Sequence, residues 1–190
     1  MMAKDELMAK EQPSGKERGK KGLVMVYTGD GKGKTTAALG LALRCVGHGG
    51  RVMVVQFMKG RTYGELKAAK LMPGLEILMA GRDVFVNKKN PDKIDVEMAK
   101  DGFARAVKYV KSGDYRMVVL DELNMALDYG LVGLKPVLRL IKNCPPGVNL
   151  VFTGRAAPEA LMEAADMVSE VREVKHHYQQ GVAARAGIEY

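Results

Sequence analysis

The sequence of 190 residues has no tryptophan and only two cysteines, Cys45 and Cys144. The cysteines are far apart, and neither belongs to a Cys-x-x-Cys or Cys/His pattern. A disulfide framework or a zinc site depends on such spacing. The sequence therefore argues against both, and it predicts that the cysteines are small residues packed in the core.

Long apolar runs are also missing. No stretch approaches the roughly 18 to 20 apolar residues that a membrane-spanning helix needs. The first 22 residues hold six Lys/Arg and four Asp/Glu, where a signal peptide would have an apolar centre. We therefore expect a cytoplasmic protein without a membrane partner. Residues 1–22 are expected to form a flexible basic tail, with helical character confined to Ala3–Glu11.

Positive charge exceeds negative charge, with 30 Lys+Arg against 22 Asp+Glu and a net charge of +8. Such an excess fits nucleic acid, an anionic membrane surface or a polyanionic nucleotide, and composition does not choose among them. The content of 47% hydrophobic and 27% charged residues is typical of a globular domain. Residues 23–190 are therefore expected to form one domain.

Short apolar runs alternate with helical segments along that domain. Strands that read as continuous apolar runs are typical of a parallel sheet covered by helices on both faces, so we predict a single-domain α/β fold with a mostly parallel sheet. The helix at Thr35–Val46 is small and apolar almost all round, which predicts that it is buried. The predicted strands are Leu23–Thr28, Arg51–Phe57, Leu75–Ala80, Arg116–Leu120 and Asn149–Thr153. The other predicted helices are Tyr63–Leu71, Ile94–Lys111 with apolar Ile94, Met98, Val107 and Val110, and one with Leu134, Val137, Leu138 and Ile141 on its apolar face.

The strongest motif is the glycine-rich segment TGDGKGKTT, Thr28–Thr36, which follows the first strand and opens a helix. Its glycines let backbone N–H groups converge on an anion, and the helix N-terminus adds a positive dipole end. Lys34 would place a full charge on phosphates, and the Thr35 hydroxyl would bind Mg²⁺. Relative to G-x-x-x-x-G-K-[ST] the loop is one residue short, because Thr28 stands where the first glycine belongs. The candidate nucleotide-binding residues are Gly29, Asp30, Gly31, Lys32, Gly33, Lys34, Thr35 and Thr36.

A second site element is VVLDEL, Val118–Leu123, an apolar strand that ends in Asp121 and Glu122. Ligands of open α/β sheets bind at the carboxyl ends of the strands. Carboxylates there can hold Mg²⁺ or Mn²⁺ directly or through water. We therefore predict Thr35, Asp121 and Glu122 as metal ligands, with an acidic helix N-cap as the alternative.

Several segments together resemble one family. They are TGDGKGKTT, VVQFMKG, YGE, VVLDEL, TGRAAP, AD and the closing VKHHYQQGVAARAGIEY. Their order and spacing are similar to those of the P-loop ATP:corrinoid adenosyltransferases, from about Leu23 to the last residue. The resemblance implies a RecA-like fold and transfer of the 5′-deoxyadenosyl group of ATP to the cobalt of a reduced corrinoid. It also implies triphosphate release, a role in cobalamin biosynthesis or salvage, a homodimer and an electron-donating flavoprotein.

This chemistry needs few protein groups. Cobalt(I) is a nucleophile with no proton to lose, so its attack needs no general base. Negative charge grows on the leaving triphosphate, which the loop amides, Lys34, Lys32 and a metal at Thr35 would stabilise. Lys34, Lys32 and Thr35 are therefore the candidate catalytic residues.

The resemblance also implies an aromatic side chain that displaces the lower axial ligand of cobalt. The corresponding loop, Gly81–Asn90, offers Phe85, which either acts as this wedge or anchors a surface loop. Arg155 either reaches a phosphate or corrin amide or forms a salt bridge. Lys175 and His176 are expected to have a structural or substrate-contacting role rather than to bind metal, because no second ligand lies at a useful spacing.

Two alternatives stay open at this stage. A small P-loop kinase or ATPase would turn over without a corrinoid. A RecA-like nucleic-acid-binding module would use the positive charge, but it would also need aromatic residues for base stacking. The chain has only 7 Tyr and 4 Phe, which argues against a nucleic-acid partner.

Overall fold

Six parallel strands form the centre of the protein. They are β1 (Val24–Thr28), β2 (Val52–Phe57), β3 (Leu75–Ala80), β4 (Met117–Asp121), β5 (Asn149–Thr153) and β6 (Met167–Glu170). The computed structural model describes residues 20–61 and 63–190, and there the strands join one sheet in the order β3-β2-β4-β5-β1-β6. Every pairing is parallel, so all carboxyl ends meet at one edge of the sheet.

Helices cover both faces of this sheet. Val52, Val54 and Val119 pack on one face with the helix that follows β1, and Val55 and Leu120 pack on the other face with the helices that follow β3, β4 and β5. The predicted α/β fold with a parallel sheet and two helical layers is confirmed. The helices are α1 (Lys34–Gly47), α2 (Gly64–Ala69), α3 (Lys93–Ser112), α4 (Leu123–Asp128), α5 (Leu134–Lys142) and α6 (Glu159–Glu163), and a 3₁₀ turn spans His177–Gln180.

Helix α1 is buried on one side only. Lys34, Ala38 and Ala42 are its buried residues, whereas Leu43 is 57% exposed. The prediction of a buried helix was therefore wrong, because α1 packs against one face of the sheet and leaves its other side to solvent. Composition alone did not distinguish a helix with small exposed residues from an enclosed one.

Helix α3 extends one residue beyond each of its predicted ends, and its predicted apolar face is wrong. Only Val110 of the four predicted apolar residues is buried. The rest of the buried apolar face of the helix consists of Phe103 and small residues such as Ala99 and Ala106. A Cβ atom on Gly102 would lie 2.3 Å from the side chain of Ala80. The helix therefore approaches the sheet too closely for larger residues on that side.

The described chain begins at the amino edge of the sheet. Gly147 N donates to Lys20 O at 2.8 Å, and Lys21 Nζ lies 3.1 Å from Asp166 Oδ1. The predicted tail up to residue 19, with Ala3–Glu11, lies outside the described residues. In the part of the chain that is described, no helix combines the length and apolar character needed to cross a membrane.

Candidate active site

A cleft of about 630 Å³ opens at the carboxyl edge of the sheet. Its walls include residues of the glycine-rich segment Thr28–Thr36, which we call the glycine loop. They also include the segments after β2, β4 and β5 and the last residues of the chain. Gly29 and Asp121 lie directly behind the lining, while Phe85 does not contribute to it. The predicted residues that line the cleft are Asp30, Gly31, Lys32, Gly33, Lys34, Thr35, Thr36, Glu122 and Arg155.

The glycine loop runs close beneath the chain that follows β6. Gly29 and Gly33 have φ angles of 94° and 117°, which favour glycine. A Cβ atom on Gly31 would lie 2.6 Å from the carbonyl oxygen of Arg172, and Gly31 N donates to Val171 O at 2.8 Å. Glycine is therefore required here by backbone shape and by close packing.

Lys34 lies at the base of the cleft and is only 7% exposed. Its Nζ donates to Gly29 O at 2.7 Å and to Gly31 O at 2.6 Å. Burial lowers the pKa of Lys34 below its usual value, although the charge of Glu122 opposes the shift. The ammonium group is held by neutral carbonyls, so an incoming anion can replace them without breaking an ion pair.

A group of polar residues that we name the Asp121 cluster lies under the cleft. Thr35 Oγ1 and Thr153 Oγ1 donate to Asp121 Oδ1 at 2.8 and 2.7 Å. Lys59 Nζ and Gln56 Nε2 donate to Asp121 Oδ2 at 2.7 and 3.2 Å. The members are Asp121, Lys59, Gln56, Thr35 and Thr153.

Within this cluster, Asp121 and Lys59 stabilise each other's charged forms. Burial opposes ionisation of Asp121, but the charge and hydrogen bond of Lys59, together with the hydrogen bonds from Thr153 and Thr35, hold the pKa of Asp121 below its usual value. Burial likewise opposes the charge of Lys59, and Asp121 outweighs it and raises the pKa of Lys59. Asp121 and Lys59 therefore form a largely buried ion pair whose charges are both satisfied, while Gln56 Oε1 has no hydrogen-bond partner among the described residues.

Glu122 differs from its neighbour Asp121. It has a φ of 60°, the residue is partly buried, and its buried Oε2 atom has no hydrogen-bond partner among the described residues. Burial and the charge of Asp121 raise the pKa of Glu122.

Met58 and Ala156, which follow β2 and β5, are the other non-glycine residues described with positive φ, at 55° and 51°. Backbone strain thus gathers at the edge that holds the cleft, as it does at functional sites.

Arg155 lies at the outer part of the site, and Phe85 lies outside the residues that line the cleft. Arg155 Nη2 donates to Asp30 O at 3.3 Å, and Arg155 Nε lies 3.9 Å from Asp30 Oδ1. Phe85 is fully exposed. A Cβ atom on Gly81, where its loop begins, would lie 2.6 Å from Lys59 N. The loop therefore starts beside a residue of the cleft wall.

Some site residues were not assigned by the sequence analysis. Lys59 and Thr153 were not singled out, although each lies at or just after the carboxyl end of a predicted strand, which was the available signal. His176, which was expected to contact substrate or support the structure, lines the cleft. Glu189 also lines it and lies 3.1 Å from Lys32 Nζ. No local sequence pattern indicated the contact between Lys32 and Glu189.

An all-parallel α/β sheet with a glycine loop at its carboxyl edge is consistent with a single-domain protein of the P-loop type. The sequence model of the family "ATP:corrinoid adenosyltransferase BtuR/CobO/CobP" matches residues 20–190. The chain belongs to this family. The resemblance stated from the sequence motifs is thereby confirmed.

Curated relatives agree with this assignment. A corrinoid adenosyltransferase of Escherichia coli is 37% identical over 171 residues, covering 90% of this chain and 86% of the relative. One of Pseudomonas aeruginosa is 36% identical over 174 residues, covering 91% and 86%. Corrinoid adenosyltransferase CobA of Salmonella typhimurium is 36% identical over 188 residues, covering 98% and 93%. These matches favour a transferase over the kinase, ATPase and nucleic-acid alternatives.

Proposed function

We propose that this protein transfers the 5′-deoxyadenosyl group of ATP to the cobalt(I) of a reduced corrinoid, with release of triphosphate, in cobalamin biosynthesis or salvage. The family match over residues 20–190 carries the proposal. The electron pair of cobalt forms the bond to the 5′ carbon. The bond between that carbon and the phosphate oxygen breaks, and its electrons leave with the triphosphate.

The glycine loop is the proposed triphosphate site. Lys34 Nζ now bonds to the carbonyls of Gly29 and Gly31, and phosphate oxygens would replace these acceptors. A cation fixed where charge develops in the transition state needs little reorganisation during the reaction. Arg155 extends this positive wall at the outer side of the loop. No residue is required as a general base, because the nucleophile carries no proton.

The residues near Thr35 fit a Mg²⁺ or Mn²⁺ ion bound together with the phosphates. Glu122 contributes an oxygen without a hydrogen-bond partner in the described structure, Thr35 contributes its hydroxyl, and Asp121 would support the ion from behind by holding that hydroxyl. Oxygen ligands are those that Mg²⁺ prefers, and it usually takes few from protein and several from water and phosphate. The ion would neutralise charge on the leaving triphosphate. Within residues 20–61 and 63–190 no group of three His, Cys, Asp or Glu side chains could hold a metal, so substrate oxygens would complete the site.

The reaction can be tested with ATP, Mg²⁺ and chemically reduced cobalamin. We expect the absorption spectrum of the cobalt to change to that of an alkylated corrinoid, with triphosphate as the phosphorus product. Without the corrinoid, ATP should remain intact. Formation of ADP and inorganic phosphate alone would contradict the proposal.

The remaining expectations rest on the family resemblance. We propose that Phe85 lies against the corrinoid, that the protein is a cytoplasmic homodimer, and that a flavoprotein supplies electrons. The full exposure of Phe85 supports the first point, since an apolar ligand would cover a side chain that packs poorly within the chain. Light scattering of the purified chain tests the dimer.

A further inference from the structure

The glycine loop depends on a small number of contacts for its shape. Its glycines give the backbone large conformational freedom in the unfolded chain, so fixing the loop costs entropy. Lys34 Nζ joins the carbonyls of Gly29 and Gly31, and Gly31 N bonds to Val171 O. If triphosphate takes over Lys34, the two bonds from its ammonium group to the loop are given up. Other contacts must then hold the tip of the loop.

Lys32 supplies such a contact. Its Nζ donates to Ile188 O at 3.0 Å and lies 3.1 Å from Glu189 Oε1. The Glu189 side chain is 19% exposed, and its Oε1 is also 3.2 Å from His177 Nε2. Arg185 N donates to Glu189 Oε2 at 2.7 Å, which fixes the carboxylate on the other side. The partner of Lys32 is thus held in place by its own neighbours.

We propose that Glu189 is a positioning residue for triphosphate binding, which acts by holding Lys32 and thereby the tip of the glycine loop. The proposal rests on the proposed function of the loop. Glu189 and Lys32 lie near opposite ends of the sequence, yet both line one cleft. A loop that is already ordered binds its ligand more tightly, because less conformational entropy is lost on binding. Lys32 therefore contributes through the shape of the loop as well as through its charge.

The test is calorimetric titration of the full chain with tripolyphosphate and with ATP, each in the presence of Mg²⁺. Glu189→Gln keeps the size of the side chain and an acceptor for Arg185 N, but it removes the charge. We expect roughly fivefold weaker binding of both ligands, the upper range for a partly exposed ion pair. In a Lys32→Ala background the same change should alter binding by less than about twofold, because the two residues act as one unit.

Glu173→Gln is the matched control, since Glu173 belongs to the same terminal region and bonds to Gln179 rather than to the loop. It should leave binding unchanged. Equal affinities of the wild type and Glu189→Gln would overturn the inference. An equal loss of affinity in the wild-type and Lys32→Ala backgrounds would also overturn the inference. If the unfolding temperature fell as well, the role of Glu189 would be purely structural. If the wild type binds neither ligand, the proposed function fails and the inference fails with it. If the wild type transfers the adenosyl group but Glu189→Gln binds both ligands as tightly as the wild type, only the inference is rejected.

Discussion

Two sets of charged side chains lie together at the carboxyl edge of the sheet and differ in how their charges are satisfied. The carboxylate of Asp121 receives hydrogen bonds from four side chains of its cluster. Nearby, Lys34 Nζ bonds only to carbonyl oxygens, and Glu122 Oε2 has no hydrogen-bond partner within the described residues. Nearly all buried polar groups in proteins are paired, and perturbed exceptions gather at functional sites. We infer that the Asp121 cluster maintains the floor of the cleft, while Lys34 and Glu122 are kept for the ligand.

The largest effect on activity is expected at Lys34, whose ammonium group forms no ion pair within the described residues. Lys34→Ala should lower the rate of adenosyl transfer on the order of 10³-fold, because it removes the charge that stabilises the leaving triphosphate. It should have little effect on the unfolding temperature, since the two lost hydrogen bonds go to loop carbonyls and the cost of burying the charge is removed with them. Rate assays and thermal unfolding measure the two effects. Lys100→Ala, an exposed lysine on α3, is the control, and near-normal turnover of Lys34→Ala would contradict the assignment of the loop.

A substitution in the Asp121 cluster should change the stability of the protein. Asp121→Ala leaves the largely buried Lys59 ammonium without its partner and should lower the free energy of unfolding by about 3 kcal/mol. Urea unfolding at pH 7 measures this, with exposed Asp114→Ala as the control. An unchanged free energy of unfolding would mean that the cluster is not structural.

The same pair sets a pH dependence. The pKa of Asp121 is lowered by folding, so its contribution is present above the ordinary value of 3.8 and is lost as pH falls through the folded pKa. The pKa of Lys59 is raised, so its contribution is complete below 10.5 and is lost as pH rises through the folded pKa. The stability difference between the wild type and Asp121→Ala should therefore be largest between these limits.

At Glu122, stability and activity should change in opposite directions. The raised pKa means that folding disfavours the charged carboxylate above the ordinary value of 4.5, so Glu122→Gln should stabilise the protein at pH 7 by about 1 kcal/mol. If Glu122 helps to hold Mg²⁺, the same variant should lose activity about tenfold. Thermal unfolding with ATP, with and without Mg²⁺, separates the effects, because only the wild type should gain metal-dependent stability. An equal gain in the variant would remove Glu122 from the metal site.

The contrast between Asp121 and Glu122 was not predictable from sequence. Both follow an apolar strand and were predicted as equivalent ligands, because position along a strand places a residue at an edge but does not name its partners. Those partners come from β2 and β5, distant in the chain. The motif did locate the loop correctly between β1 and α1.

The limits of the fold prediction have a similar cause. Strands β1 to β5 were predicted from their apolar runs, which are buried in β1, β2, β4 and β5, whereas β3 is buried only at its two ends. Strand β6 was missed because it has four residues and only two of them are apolar, Met167 and Val168, which are 38% and 43% exposed at the edge of the sheet. A strand with one neighbour and little burial needs no apolar run, so hydrophobicity alone does not indicate it.

The smallest effect is expected at Phe85, outside both charged sets. Because the side chain is fully exposed, Phe85→Ala should change the free energy of unfolding by less than about 0.5 kcal/mol. If Phe85 displaces the lower cobalt ligand, the reaction that starts from cob(II) should slow about fivefold, equivalent to about 1 kcal/mol of apolar contact. The reaction from pre-reduced cob(I) should be nearly unaffected, since the ligand is already lost. The neighbouring exposed Val84→Ala serves as the control, and equal losses from both cobalt states would reject the wedge and leave Phe85 as a loop residue.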